Sequence, residues 1–212
     1  MLNFLIAGPI IGLLSLTDAM LHVYLDVKKS RRAGKRVFKE PGANIPSSAM
    51  GAASVSTLLA FSIVFLIPVA WFYGAGREFF LILIPLFDPD VPFWISGLLL
   101  LLIGIILHGW SRFVRQEMAS SWAMSTDQDL VETGPYSRVR HPSYTSYFLS
   151  FAGLILMLPS IVTLVLLFGY PGYYYISLVE ERHLIMHFGE QYTNYMSRTG
   201  RFIPFLRSDF SN

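Results

Sequence analysis

Four apolar stretches separated by short polar blocks dominate the chain. Leu2 to Leu25 holds no Lys or Arg, and Asp18 and His22 are its only strongly polar breaks. It is longer than a secretory signal and lacks the charged start and small-residue cleavage site of one, which predicts a retained helix. Gly51 to Tyr73 contains no ionisable group apart from the Tyr73 phenol, and Pro68 inside it is a tolerated kink. Pro92 to Val114 centres on the Leu98 to Leu107 run and ends in His108 and Arg112. Tyr144 to Val179 carries no charge and is too long for one crossing; Pro159 divides it, and Pro171-Gly172 interrupts its second part. Since roughly 20 apolar residues rising about 1.5 Å each match the hydrocarbon thickness of a bilayer, the pattern predicts an all-α integral membrane helical bundle. It has five transmembrane helices, the last two forming a tight hairpin, Tyr144 to Leu158 and Ser160 to Val179.

Basic residues test that count independently, because they are retained on the cytoplasmic side of a span. Lys28, Lys29, Arg31, Arg32, Lys35, Arg36 and Lys39 fill the loop after the first span, and Arg77 stands alone between the second and third. Arg112, Arg115, Arg138 and Arg140 follow the third span, while Arg182, Arg198, Arg201 and Arg207 follow the fifth. With the N-terminus outside and five crossings, fifteen of the sixteen basic residues fall on the cytoplasmic side. An undivided fourth helix would strand the last four arginines outside, so the hairpin is preferred.

Composition agrees: 53% of residues are hydrophobic and 14% charged, against about 25% charged in a soluble domain. The Lys28 to Lys39 run beside a span fixes orientation and meets anionic lipid head groups; it implies no nucleic-acid partner. With no Cys in the chain, disulfides, thiolate zinc sites and Cys nucleophiles are excluded. His183 and His187 share a helix face, but without a third ligand they imply no metal. Asp18, His22 and Asp26 recur at four-residue steps, which suits a structural hydrogen-bond ladder or, alternatively, a proton or ion path.

Two polar blocks carry the chemistry. The first, Gln116 to Tyr144, includes Ser120-Ser121-Trp122 and runs Gly134-Pro-Tyr136-Ser-Arg-Val-Arg140-His141-Pro142-Ser-Tyr144; the second runs Glu180-Glu181-Arg-His-Leu184 through Phe188-Gly189-Glu190-Gln-Tyr192 and Tyr195 to Arg201-Phe-Ile-Pro204. Pro142 suits the first turn of a helix, which puts Arg140 and His141 at the mouth of span four, where free N–H groups gather. Glu180 and Glu181 end the antiparallel partner span, so the hairpin brings the blocks together.

In order and spacing these strings resemble the isoprenylcysteine carboxyl methyltransferase family over roughly residues 110 to 205, with 1–110 contributing N-terminal helices of the same single membrane domain, 1–212. The resemblance implies a membrane methyltransferase using S-adenosylmethionine, with Thr133, Gly134, Tyr136, His141, Tyr144, Glu180, Glu181 and Leu184 binding that cofactor. It places Arg140 and Arg198 at positions associated with activity or with the substrate carboxylate. No G-x-G-x-x-G following a strand and no P-loop occurs, which agrees with a family that uses no Rossmann domain. The implied partners are the bilayer and an amphiphilic or prenylated acceptor, the carboxylate of an isoprenylated cysteine first among them. Sequence does not fix the acceptor or the oligomeric state; Gly97, Gly104 and Gly109 permit close helix approach within one chain or between two. Two other readings stay open, an NADPH-dependent reductase of the sterol reductase type and a non-catalytic membrane protein or transporter. Arg198 and Arg201 could equally be snorkelling anchors.

Overall fold

The computed structural model describes residues 2–32, 45–115 and 129–204. The Ser120-Ser121-Trp122 segment, Lys35, Arg36, Lys39 and Arg207 lie outside the described residues, as do the side chains of His22, Asp26 and Lys28 to Arg32. The described chain is helical: α1 (Leu2–Arg32), α2 (Ser47–Phe72), α3 (Gly76–Ile82), α4 (Val91–Arg115), α5 (Pro142–Met157), α6 (Ile161–Leu164), α7 (Gly169–Phe188) and α8 (Glu190–Arg198). One 3₁₀ turn, Gly134–Ser137, precedes α5, and another, Val165–Phe168, joins α6 to α7.

Among the described residues, four helical stretches are long and apolar enough to cross a membrane: Ile6–Leu25, Ser47–Phe72, Val91–Arg115 and Ile161–Phe188. Their outer faces leave large apolar side chains such as Leu13, Leu58, Leu99 and Ile106 exposed, as a surface solvated by lipid does and a water-soluble one does not. The expected fourth span is α5, with 16 residues, or roughly 24 Å at about 1.5 Å per residue, short of the roughly 30 Å of hydrocarbon. Helix α1 continues past Leu25 to Arg32 because its basic residues favour a helix once it leaves the bilayer. Pro68 stands inside an unbroken α2. Pro159 does end α5, and Ser160 restarts the helix as an N-cap whose hydroxyl accepts from the Thr163 N–H while Thr163 returns the bond, a reciprocal cap. The interruption expected at Pro171-Gly172 falls earlier, at the 3₁₀ turn; Pro171 sits in the first turn of α7, where its missing N–H costs nothing.

Helix α5 lies along α4 at backbone contact. A Cβ on Gly153 would come within 2.6 Å of the Leu101 amide nitrogen, and one on Gly97 within 2.5 Å of the Met157 nitrogen. Gly97 and Gly104 therefore serve approach within this chain. Helix α7 packs instead against α2, with Gly172 against the Ala49 and Ala53 backbone. Backbone bridges tie the reversals at both ends of the bundle. At one end Leu86 donates to the Pro159 carbonyl (3.0 Å) and Ile161 to the Ile84 carbonyl (3.0 Å). At the other, Val139 pairs in parallel with Gly200, and this second bridge organises the polar end.

Candidate cofactor site

The first polar block begins with Gly134 at φ +59°, a left-handed value that favours glycine. It opens the 3₁₀ turn, and Pro135 in the first turn fixes its direction. The chain then extends alongside residues 199–202: Gly200 donates to the Arg138 carbonyl (3.2 Å), Arg140 to the Gly200 carbonyl (2.8 Å) and His141 to the Arg201 carbonyl (3.0 Å). His141 caps α5 and Pro142 starts it. The Thr145 hydroxyl adds a bond to the Phe202 carbonyl at 2.8 Å. Buried Tyr195 reaches across from α8 and donates its hydroxyl to the Tyr136 carbonyl at 2.6 Å. A short two-stranded clasp thus presents Arg140 and His141 to the far end of α7.

Glu180 and Glu181, buried on α7, meet that clasp. Glu181 is the hub: it accepts from Arg140 Nε (2.8 Å), from Arg201 Nε (3.1 Å) and Nη2 (2.7 Å), and its Oε1 lies 3.2 Å from His141 Nε2. Arg140 also donates to the carbonyls of Met196 and Thr199. Glu180 accepts the Tyr144 hydroxyl at 2.8 Å and stands 3.4 Å from His141 Nδ1. The imidazole therefore sits between two carboxylates. Burial works against its charged form, but hydrogen bonds to Glu180 and Glu181 and their negative charge outweigh it, raising the His141 pKa above its ordinary value. The His141 and Tyr144 rings lie 3° from parallel with centroids 5.3 Å apart, and Phe202 closes the edge at 5.9 Å from His141.

Of the ten residues named from sequence, five converge directly: Arg140, His141, Tyr144, Glu180 and Glu181. Gly134 and Tyr136 shape the turn that leads to them, and Thr133 caps it through its carbonyl, which accepts from the Tyr136 N–H. Leu184 is half-buried on α7, one turn on from Glu180. Arg198 stands apart, its side chain 62% exposed and paired with Glu132. Arg201 is the residue that sequence reasoning left undecided. In the fold it is a partner of the buried Glu181 and stacks over the Tyr174 ring at 5.5 Å. Its place in the closing Arg201-Phe-Ile-Pro204 string was the available signal.

Comparison with known proteins falls on this region. Residues 93–191 match the model of the phospholipid methyltransferase family. Over 102 residues the chain is 35% identical to a protein-S-isoprenylcysteine O-methyltransferase of Saccharomyces cerevisiae, a match covering 47% of this chain and 40% of that protein. Over 84 residues it is 34% identical to the protein of the same name from Tribolium castaneum, covering 39% of this chain and 30% of the relative. The chain thus matches less than half the length of these curated relatives. Arg140, His141, Tyr144, Glu180 and Glu181 lie inside the family match, whereas Arg198 and Arg201 follow it. The resemblance to the isoprenylcysteine carboxyl methyltransferases is therefore borne out over a stretch of slightly less than half of the chain, which carries the paired glutamates and the His141 turn.

Proposed function

We propose that this chain is an integral membrane methyltransferase that transfers a methyl group from S-adenosylmethionine to a lipid-like acceptor, foremost the carboxylate of an isoprenylated cysteine or a related amphiphile. The observation that carries this reading is the contact of His141 and Tyr144 with Glu180 and Glu181 inside the segment matched to methyltransferases.

The donor set suits the cofactor. Its ribose hydroxyls and ammonium need acceptors, which Glu180 supplies, and its adenine needs a flat wall, which the parallel His141 and Tyr144 rings supply. Thr133, Gly134, Tyr136 and Leu184 are assigned to the same cofactor. When bound, S-adenosylmethionine supplies an electrophilic methyl on a sulfonium. An acceptor that is already a carboxylate needs no base, so the protein's task is alignment and exclusion of water. Arg140 is engaged with Glu181 and two carbonyls and acts as a positioning residue for that carboxylate. Arg198, the more exposed of the two, is the arginine with reach for an acceptor's carboxylate.

In the membrane we assign five crossings, with α5 as a short fourth and α6 to α7 as the fifth. The N-terminus is outside and the cofactor site cytoplasmic, as the basic residues require. Because the chain has no cysteine, single-Cys variants at Gly74 and Thr193 report this directly: a membrane-impermeant maleimide added to intact cells is expected to label the first and not the second.

The deciding experiment is calorimetry on the purified protein. S-adenosylhomocysteine is expected to bind, NADPH is not, and Glu180→Gln is expected to weaken binding about tenfold, the loss of one charge-assisted hydrogen bond. Binding of NADPH alone would transfer the assignment to the reductases. A methyl-transfer panel of amphiphilic acids and amines then names the acceptor.

A further inference from the structure

A second polar site lies within the bundle, where Ser15 and Asp18, ahead of the stretch that the family model matches, meet His108 and Tyr147 inside it. Between α1, α2, α4 and α5 a small, partly open cavity has mostly apolar walls that include Phe61, Val64 and Phe151. Ser15, Asp18 and His108 face it, with Tyr147 on the wall nearest Tyr144. Asp18 lies in the first candidate span and His108 in the third, each with its side chain 12% exposed.

The polar wall is ordered. Asp18 Oδ2 lies 3.4 Å from His108 Nδ1, and His108 Nε2 lies 3.4 Å from the Tyr147 hydroxyl. The Ser15 hydroxyl, on a residue only 6% exposed, has no hydrogen-bond partner among the described residues. Ionisable groups at membrane depth are costly and mark ligand or ion pathways when they face a cavity. A buried hydroxyl without a partner forfeits a hydrogen bond that a ligand can restore.

We infer that this cavity is a binding pocket for the head of a single-chain amphiphile that donates hydrogen bonds and bears no negative charge, such as a long-chain alcohol or amine. The sign follows from the lining. Asp18 brings a carboxylate, and neither Lys nor Arg is among the lining residues. A donor head gains a charge-assisted hydrogen bond there, whereas an anionic head brings a like charge into a poorly screened site. The aromatic walls add attraction for an ammonium. Phe65, a lining residue that is 46% exposed, carries the apolar wall out to the surface for the tail.

The pocket goes beyond the methyltransferase reading and does not depend on it: Tyr147 and Tyr144 stand between it and Glu180, and the test reads binding alone. The protein is reconstituted in phosphatidylcholine nanodiscs and exposed to three photoreactive twelve-carbon probes, an alcohol, an amine and a carboxylate, with labelled peptides mapped by mass spectrometry. The alcohol and amine are expected to label α1 and α2 around the cavity about tenfold more than the carboxylate does. Ala60→Leu, which fills the cavity, is expected to abolish that labelling. Asp18→Asn is expected to erase the preference for donor heads. Because that change also removes the partner of His108, Ser15→Ala provides a milder variant that is expected to lower labelling by both donor probes. Equal labelling by the carboxylate, or undiminished labelling in a folded Ala60→Leu variant, would overturn the inference. Loss of S-adenosylhomocysteine binding would sink only the methyltransferase reading.

Discussion

Replacing Glu181 by Gln is the most informative single change at the polar end. The side chain is 4% exposed, and four contacts from three cationic or potentially cationic groups converge on its two oxygens at 2.7 to 3.2 Å. Glutamine keeps one acceptor oxygen but turns the other into a donor, so either the Arg201 Nη2 bond or the Arg140, His141 and Arg201 Nε bonds face an N–H instead of a lone pair. Removing one partner of a buried ion pair costs roughly 3–5 kcal/mol, because the remaining charges stay desolvated. Arg201 is a quarter exposed and can turn towards water, so the lower part of that range is expected. The assay is reversible unfolding in mixed micelles, followed by tryptophan fluorescence, for the wild type, Glu181→Gln, Arg201→Met and the double variant. A coupling of about 2 kcal/mol between the two sites is expected for groups that share one network. A loss below about 1 kcal/mol for Glu181→Gln would place the carboxylate in the range of an exposed surface pair. That result, or strict additivity in the cycle, would refute the clasp as the element holding the site together.

The His141 pKa is raised in the folded protein, so its contribution is complete below its unfolded pKa of about 6.5 and fades as pH climbs through the higher folded value. The stability gap between the wild type and His141→Gln is therefore expected to shrink from mildly acidic to alkaline pH, and a gap that widens would reverse the assigned charge. Arg198→Leu, at an exposed pair, is expected to change stability by no more than about 1 kcal/mol while raising KM for a carboxylate acceptor and leaving S-adenosylhomocysteine affinity intact. Gly153→Ala must push α4 away from α5 and is expected to destabilise by roughly 1–3 kcal/mol despite the better helix propensity of alanine. Gly51→Ala, where a Cβ meets nothing within 4 Å, is expected to be neutral or to stabilise by up to about 1 kcal/mol in the same denaturation series.

The apolar periodicity located α2 and α4 to within four residues at each end, because lipid imposes one rule on long runs. It missed α3, seven residues with none buried, which is too short for a pattern to emerge. It misplaced the break before α7 because a proline in a first turn looks in sequence like one in a helix interior. His141, Tyr144 and the paired glutamates were legible as residue types at a family's spacing. The importance of Arg201 was not, since a snorkelling anchor and a buried partner look alike until the 199–202 strip is seen beside residues 138–141. Gly97 was legible as a site of close helix approach, but not the helix it meets, because its partner on α5 lies more than fifty residues away.

The strip from Thr199 to Phe202 has a temporal consequence. Ribosomes deliver α5 and α7 before it, so during synthesis Glu181 is made ahead of its Arg201 fork and Arg140 ahead of its carbonyl acceptors. The polar network is latched by nearly the last part of the described chain to be made, and a nascent chain halted before residue 199 still lacks its fastener.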